Sequence, residues 1–355
     1  MPKILVSALE PSSNLHLKEL KKYLKNVEFI GIFDKNLGKA LYDPKEFSVM
    51  GFGDVLGKIS FFYQANKKMA RLASQADMVL LMDASSFNIP LAKAIKQKDP
   101  NKHIIYYILP QIWAWKPWRA KKIERYCDRL GAILPFETSF YQNKATYVGH
   151  PLLDEIHHYK QTPAGEGIVF MPGSRRGEIK RIFPIFVQVA KKLPHKKKIL
   201  VIPEAFETLD LHSIYGEGIE LFEISFNAHQ SLYEAEFAFI CSGTATLEAT
   251  LIGTPFVLGY QAKKLDFAIL KIFVKLSFVG LANIFYNALN GERPGCGKTK
   301  LHEELIQDEL DAENLLGAYQ NTDKEKFLIE SGKIREYLKH GSAKNIAEWI
   351  NLTLN

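Results

Sequence analysis

Short, unbroken apolar runs alternate along this chain with stretches of helical periodicity. Residues 3–8 read as a strand buried on both faces, followed by a helix over 15–24. Further strands are expected at 27–33, 78–82, 103–109 and 132–134, with a helical stretch at 59–73. The second half restarts the pattern, with strands at 167–170, 198–202, 237–241 and 255–258 and helices over 182–192 and 244–252. Buried strands alternating with helices predict parallel sheets built from βαβ units. Between the halves, Gln161-Thr162-Pro163-Ala164-Gly165 is polar and turn-rich, and reads as a linker. The expected organisation is α/β, with two Rossmann-like doubly wound domains facing across a cleft. They cover residues 1–160 and 166–325, and two helical patterns at 326–355 are placed to pack back on the first domain. Ligands of such sheets sit at the carboxyl ends of the strands.

Composition narrows the classes. A chain of 355 residues with 47% hydrophobic content is globular and long enough for two domains. Its net charge of +7 suits an anionic ligand or an acidic membrane surface, but no basic stripe interleaved with aromatics points to nucleic acid. Cys127, Cys241 and Cys296 are sparse and lack CxxC spacing, which argues for a reducing compartment and against a disulfide framework or a zinc site. No charged leader followed by an apolar core and no apolar stretch of about 18 residues is seen, so neither a secretory signal nor a spanning helix is expected.

The candidate chemistry follows strands. Gly173-Ser174-Arg175-Arg176-Gly177-Glu178 is a strand-to-helix turn whose amides and Arg175 suit phosphate oxygens; an ordinary turn with solvent-facing arginines is the alternative. Ser242-Gly243-Thr244 has the same setting, with Glu248 one turn into the helix where a carboxylate can accept both ribose hydroxyls, or serve as a plain first-turn acid. Asp83 ends a strand and is either a general base or a helix cap. Glu10-Pro11-Ser12-Ser13-Asn14 is a second polar turn of the first half, again either functional or a cap. Trp113, Trp115 and Trp118 form either an apolar wall for a lipid or sugar or an interdomain core, and His150 is either structural or an acid/base beside the cleft. Gly295-Cys296-Gly297-Lys298-Thr299 imitates the end of a phosphate loop, but Glu292 stands where that motif needs glycine and no apolar strand precedes it. The apolar stretches 47–63 and 265–279, flanked by lysines, read either as interfacial helices on anionic lipid or as helices packed on the sheets.

Taken together, these motifs resemble the lipid-A-disaccharide synthases, glycosyltransferases of the two-Rossmann-domain GT-B type. The likeness runs through Glu10 to Ser12, Val49-Met50-Gly51, Asp83 with Phe87-Asn88-Ile89, Trp113-Ala114-Trp115, Leu134-Pro135-Phe136-Glu137, Gly149-His150-Pro151, Pro172-Gly173-Ser174-Arg175, Ser242-Gly243-Thr244-Ala245 with Leu247-Glu248, Gly259-Tyr260, Asn283 and Glu304-Leu305-Ile306-Gln307. Ser13, Asn14, Ser86, Gln261 and Ala282 depart from the family's usual Gly, Asp, Asp, Arg and Pro.

The resemblance implies an inverting transfer of the sugar of UDP-2,3-diacylglucosamine to 2,3-diacylglucosamine 1-phosphate. The products are the β(1→6) disaccharide 1-phosphate of lipid A and UDP. Asp83 is then the base. Gly173, Ser174, Arg175, Ser242, Gly243, Thr244, Glu248, Asn283, Glu304 and Gln307 are assigned to the UDP-sugar, and Glu10, Ser12, Asn88 and His150 to the acceptor. No DxD-type acid pair stands near the phosphate turns, so no metal or other cofactor is expected. The implied setting is cytoplasmic, peripheral on the anionic inner-membrane face, with a homodimer left open. The rivals are a UDP-N-acetylglucosamine 2-epimerase, another GT-B glycosyltransferase, and a non-catalytic nucleotide-sensing membrane adaptor.

Overall fold

The computed structural model describes residues 1–44, 55–114, 117–241, 243–262 and 276–354, with the side chains of 55–59 left aside. The expectations for Val49-Met50-Gly51, Trp115 and Ser242, for much of 47–63 and for 265–275 fall outside the described residues. The chain divides into two compact units, 1–155 with 338–355, and 156–337.

Unit 1 is built on a sheet of β1 (Lys3–Ala8), β2 (Glu28–Ile32), β3 (Lys39–Tyr42), β4 (Met78–Met82), β5 (His103–Tyr107), β6 (Arg129–Ala132) and β7 (Ala145–Tyr147). Their order is β3-β2-β1-β4-β5-β6-β7, and every pairing is parallel. The helices α1 (Pro11–Lys21), α2 (Val55–Leu72), α3 (Ser85–Lys98), α4 (Arg119–Tyr126) and α5 (Pro151–Glu155) connect or follow them. All five residues of β4 are buried, as a central strand covered on both faces requires. Leu5, Val79, Leu81 and Tyr106 face one core and Ile4, Val6, Leu80 and Tyr107 the other, the two-residue alternation of a strand.

Unit 2 carries β8 (Ile168–Met171), β9 (Lys198–Val201), β10 (Glu223–Ser225), β11 (Phe237–Ile240), β12 (Phe256–Tyr260) and β13 (Glu304–Ile306), in the order β10-β9-β8-β11-β12-β13, again all parallel. Its helices are α6 (Arg176–Lys191), α7 (Leu211–Tyr215), α8 (Ala228–Glu234), α9 (Thr244–Ile252), α10 (Leu281–Leu289), α11 (Ala312–Asn321) and most of α12 (Lys324–Leu338). Phe170, Phe186, Phe222 and Phe239 pack ring to ring in its core, at centroid separations of 5.1–6.2 Å.

Two boundaries differ from the sequence reading. The units part at Glu155/Ile156, and the linker residues 161–165, with Lys160 before them, belong to unit 2. Lys160 is buried there. Its amide donates to Ile252 and its ammonium to the carbonyls of Ala164 and Ala235. A Cβ on Gly165 would lie 2.4 Å from the Ala235 backbone, so only glycine fits at this contact. The tail also splits, inside α12. The last helix, α13 (Ser342–Leu354), returns to unit 1, where Ile346 and Ile350 are fully buried against the β1–β4–β5 face. Asp154 accepts the amides of Gly341 and Ala343, and Tyr107 and Ser342 share a buried hydroxyl contact of 2.8 Å.

Candidate functional site

In each sheet the first strand of the unit is flanked by the second on one side and the fourth on the other. Connections leaving two such neighbours run to opposite faces, which opens a crevice at their carboxyl ends. In unit 1 that point lies between β1 and β4, where Ala8 pairs with Met82. In unit 2 it lies between β8 and β11, where Met171 pairs with Ile240. The turns singled out by chemistry leave these four strand ends. A cavity of about 560 Å³ lined by Lys160, Gly165, Lys197 and Tyr233 instead lies at the amino ends of β8 and β9, away from these turns.

At the β1/β4 crevice, Asp83 and Ala84 take left-handed backbone angles, with φ of 49° and 36°. Such angles strain non-glycine residues and persist only when surrounding bonds enforce them. The bonds are present. The Asp83 carbonyl accepts from the Tyr106 hydroxyl and, at 2.9 Å, from Asn88 Nδ2. Asn88 Nδ2 also donates to Met82 O at 2.9 Å, and its Oδ1 accepts from Ser7 Oγ at 2.6 Å. Burial foremost, then the charge of Glu10, pushes the Asp83 carboxyl above the ordinary carboxylate range; the Ala84 amide and His16 pull the other way.

Around Asp83, Glu10 is exposed and opens α1, and Ser12 is half-buried in its first turn. Asn14 ties the crevice together, donating to Ala8 O and Glu10 O and accepting the Asp34 amide at 2.7 Å. Two neighbours escaped the sequence reading. His16 pairs with Glu155 at 2.6 Å, a contact between residues 139 apart in sequence. Arg119 reaches Ser85 Oγ at 2.8 Å from beyond the tryptophans. Of those tryptophans, Trp113 is buried edge-on to Phe136 at 5.4 Å, while Trp118 is exposed.

Two acceptor-side expectations change character. Asn88 is fully buried, and its amide is spent on the protein's own backbone and Ser7. His150 is also buried. Desolvation, helped by His16, lowers its pKa to about 3, so the ring is neutral near neutrality and offers no cation to a phosphate. Its Nδ1 accepts the Leu152 amide at the start of α5.

At the β8/β11 crevice, Gly173 has φ 104°, and a Cβ there would lie 2.8 Å from Glu178 Oε2 and 3.3 Å from Cys241 Sγ. Ser174 and Arg175 follow in the open, with Arg175 Nη1 on Glu178 Oε1 at 2.8 Å. Gly243, at φ 107°, leads into α9 with Thr244 exposed. Among the described residues, both α6 and α9 begin without a side-chain cap. By contrast, α7, α8 and α11 are capped by Asp210, Asn227 and Asp311. Uncapped helix starts at a strand's carboxyl end leave amide donors for an anion.

Glu248 lies 3.9 Å from His229 Nε2, a neighbour supplied by α8. Tyr260 stands among the same groups: burial and Glu178 raise its hydroxyl pKa, while Arg175 and Arg181 lower it. Arg181 in turn bonds the Gln261 carbonyl at 2.9 Å. Asn283 and Glu304 are turned to each other. Glu304 accepts the Val279 and Gly280 amides and Asn283 Nδ2, while Asn283 Oδ1 takes the Leu301 and His302 amides. They seat the start of α10 on β13. Gln307, at φ 58°, faces the Ala262 backbone.

The segment imitating a phosphate loop is closed by its own carboxylate. Glu292 Oε2 accepts the amides of Lys298 and Thr299, the Thr299 hydroxyl and Asn287 Nδ2. A Cβ on Gly297 would fall 1.9 Å from that oxygen.

Among known proteins, the chain matches the lipid-A-disaccharide synthetase family over residues 4–347. It is 62% identical over 360 residues to the lipid-A-disaccharide synthase of Helicobacter acinonychis (strain Sheeba), covering 100% of this chain and 99% of that protein. The Campylobacter jejuni synthase is 45% identical over 374 residues, covering 99% and 100%. Two solved structures share the fold at low identity. The Staphylococcus aureus MnaA–UDP co-structure has a TM-score of 0.60 at 14% identity, covering 100% of this chain and 97% of that one. The Neisseria meningitidis UDP-GlcNAc 2-epimerase bound to UDP-GlcNAc has 0.54 at 12%, covering 100% and 99%. The two parallel sheets are thus of the GT-B type, shared by glycosyltransferases and epimerases, and the match along almost the whole sequence decides between them: the chain belongs to the lipid-A-disaccharide synthetase family.

Proposed function

We propose that this enzyme joins UDP-2,3-diacylglucosamine to 2,3-diacylglucosamine 1-phosphate. The acceptor 6-hydroxyl attacks the anomeric carbon, the bond from that carbon to the diphosphate oxygen breaks, and UDP departs. An α-linked donor becomes a β(1→6) linkage, so one in-line displacement accounts for the inversion. The observation that carries this reading is a half-buried acid at one crevice, Asp83, and two uncapped helix starts, one of them with Arg175 and Arg176, at the other.

The chemistry needs both. The attacking hydroxyl loses its proton as the new bond forms, and a carboxylate with raised pKa is a stronger base than an ordinary one. UDP leaves with growing negative charge, which fixed amides and guanidinium groups stabilise without reorganising. Gly173, Ser174, Arg175, Gly243 and Thr244 supply that environment, and Arg181 and Tyr260 adjoin it. Glu248 takes the ribose hydroxyls. Asn283 and Glu304 shape the wall rather than touching the nucleotide, because their polar atoms already bond each other and the backbone.

The acyl chains favour a peripheral setting on the anionic cytoplasmic face of the inner membrane. Exposed Phe62, Tyr63 and Trp118, with Lys67, Lys121 and Lys122 nearby in sequence, suit such a surface. Among the described residues no helix is long and apolar enough to cross a membrane.

The test is product identification. Purified protein receives acylated or non-acylated UDP-glucosamine donors with the monosaccharide 1-phosphate, and products are identified by mass. The expected result is a disaccharide 1-phosphate from the acylated donor alone. Epimerised soluble sugar nucleotide, or UDP binding without turnover, overturns the reading.

A further inference from the structure

We propose that Ser7, Asn88 and Tyr106 are positioning residues that hold the Asp83 carboxylate in its reactive place. The proposal rests on Asp83 being the base. Three strands and one helix contribute to this small buried network. Ser7 comes from β1, Met82 and the turn from β4, Asn88 from α3 and Tyr106 from β5. Ser7, Asn88 and Tyr106 are all fully buried.

The network has one direction of dependence. Ser7 Oγ donates to Asn88 Oδ1 at 2.6 Å, which fixes which end of the amide carries the donors. The Asn88 NH2 group then bridges the Met82 and Asp83 carbonyls, both at 2.9 Å. Tyr106 gives its hydroxyl to the same Asp83 carbonyl. Two donors on one carbonyl pin the Asp83 peptide plane, while the Asp83 amide is held by Ile108 O at 3.1 Å. Left free, the consecutive left-handed angles at Asp83 and Ala84 relax toward ordinary backbone, and the carboxylate swings with them. None of the three side chains reaches the crevice with a spare polar group, so each acts through Asp83.

Removing one hydroxyl tests this without opening a large cavity. Tyr106→Phe and Ser7→Ala are each expected to lower kcat about 10–100-fold, as a misplaced reacting group does, while leaving KM for both substrates within about twofold. The discriminating measurement is a double-mutant cycle with Asp83→Asn. Once the carboxylate is gone its placement no longer matters, so Tyr106→Phe should cost the residual turnover nothing further. Wild-type kcat in both single variants, or an undiminished further loss on the Asp83→Asn background, overturns the proposal. Should Tyr106→Phe fail to fold, Ser7→Ala decides alone, since it deletes one donor from a strand and leaves the aromatic core intact. The underlying assignment fails by a different result: near-wild-type turnover in Asp83→Asn itself.

Discussion

At the scale of single residues, function here is set by what surrounds a side chain. Asp83→Asn is expected to cut transfer to a small residual rate while leaving UDP affinity by calorimetry nearly unchanged, because the carboxylate belongs to unit 1 and the turns proposed to bind the diphosphate belong to unit 2. The pH profile carries a second test. Burial and then Glu10 raise the Asp83 pKa, so the proposed base gives up its proton at a higher pH than an ordinary carboxyl does. Glu10→Gln removes one cause, and the acidic limb of kcat/KM should move to lower pH. Glu137 behaves differently: its carboxyl is buried with no side-chain partner among the described residues, and burial raises its pKa well above the usual value against the pull of the Leu134 and Ile133 backbone. A carboxyl that holds its proton more tightly when folded stabilises relatively at low pH, and that contribution is lost as pH rises through the unfolded and then the folded value. Wild type should therefore lose stability against Glu137→Gln between acid and neutral pH, at about 1.4 kcal/mol per unit of pKa difference, measured by urea unfolding. The sequence marks Asp83 and Glu10 by their positions after strands. It cannot show that Asn88 and His150 point inward, because a polar residue in an amphipathic segment is written the same way whether water or a carbonyl satisfies it.

At the scale of elements, the strand-to-helix connections matter most. Arg175→Ala should weaken UDP binding by calorimetry, since in the proposed site its guanidinium stands at the start of α6, where no side-chain cap takes the helix amides. Glu304→Ala removes the acceptor for two amides at the start of α10. It should lower stability by about 1–3 kcal/mol in denaturant unfolding. The central strands were legible: 3–8 and 78–82 emerge at their observed limits, because burial on both faces writes continuous apolar runs. All four strands absent from the sequence reading, β3, β7, β10 and β13, are the sheet edges. Each has three or four residues and none is fully buried, so no apolar run announces it. The strand expected at 132–134 lies at Arg129–Ala132, where Arg129 and Gly131 interrupt the pattern and Gly131 makes room for Ile346 of α13. The helices α1 and α6 start four and six residues earlier than expected, since their polar first turns face the crevices and carry no apolar periodicity.

At the scale of the whole molecule, two units repeat one strand order, and the last helix of the chain completes the first unit's core. Ile350→Ala should therefore cost about 2–5 kcal/mol in the unfolding of unit 1, followed by urea denaturation, with UDP affinity in unit 2 preserved. The sequence by itself determined the alternation of buried strands and helices, the two-unit α/β plan and the turns that follow the strands. Those properties are local, written in short-range apolar periodicity and in the glycines and polar residues that interrupt it. Only the tertiary structure decided which strands lie side by side, and hence that the chemically interesting turns fall at the two points where the strand order reverses. It also decided which polar side chains are spent on the protein itself, as in Ser7–Asn88–Asp83 and Asn283–Glu304, and that of the tail expected to pack on the first half only residues 338–355 belong there, while 326–337 belong to the second. Those outcomes depend on contacts between residues far apart in the chain, whose free energy comes from burial and hydrogen bonding that no local stretch of sequence contains.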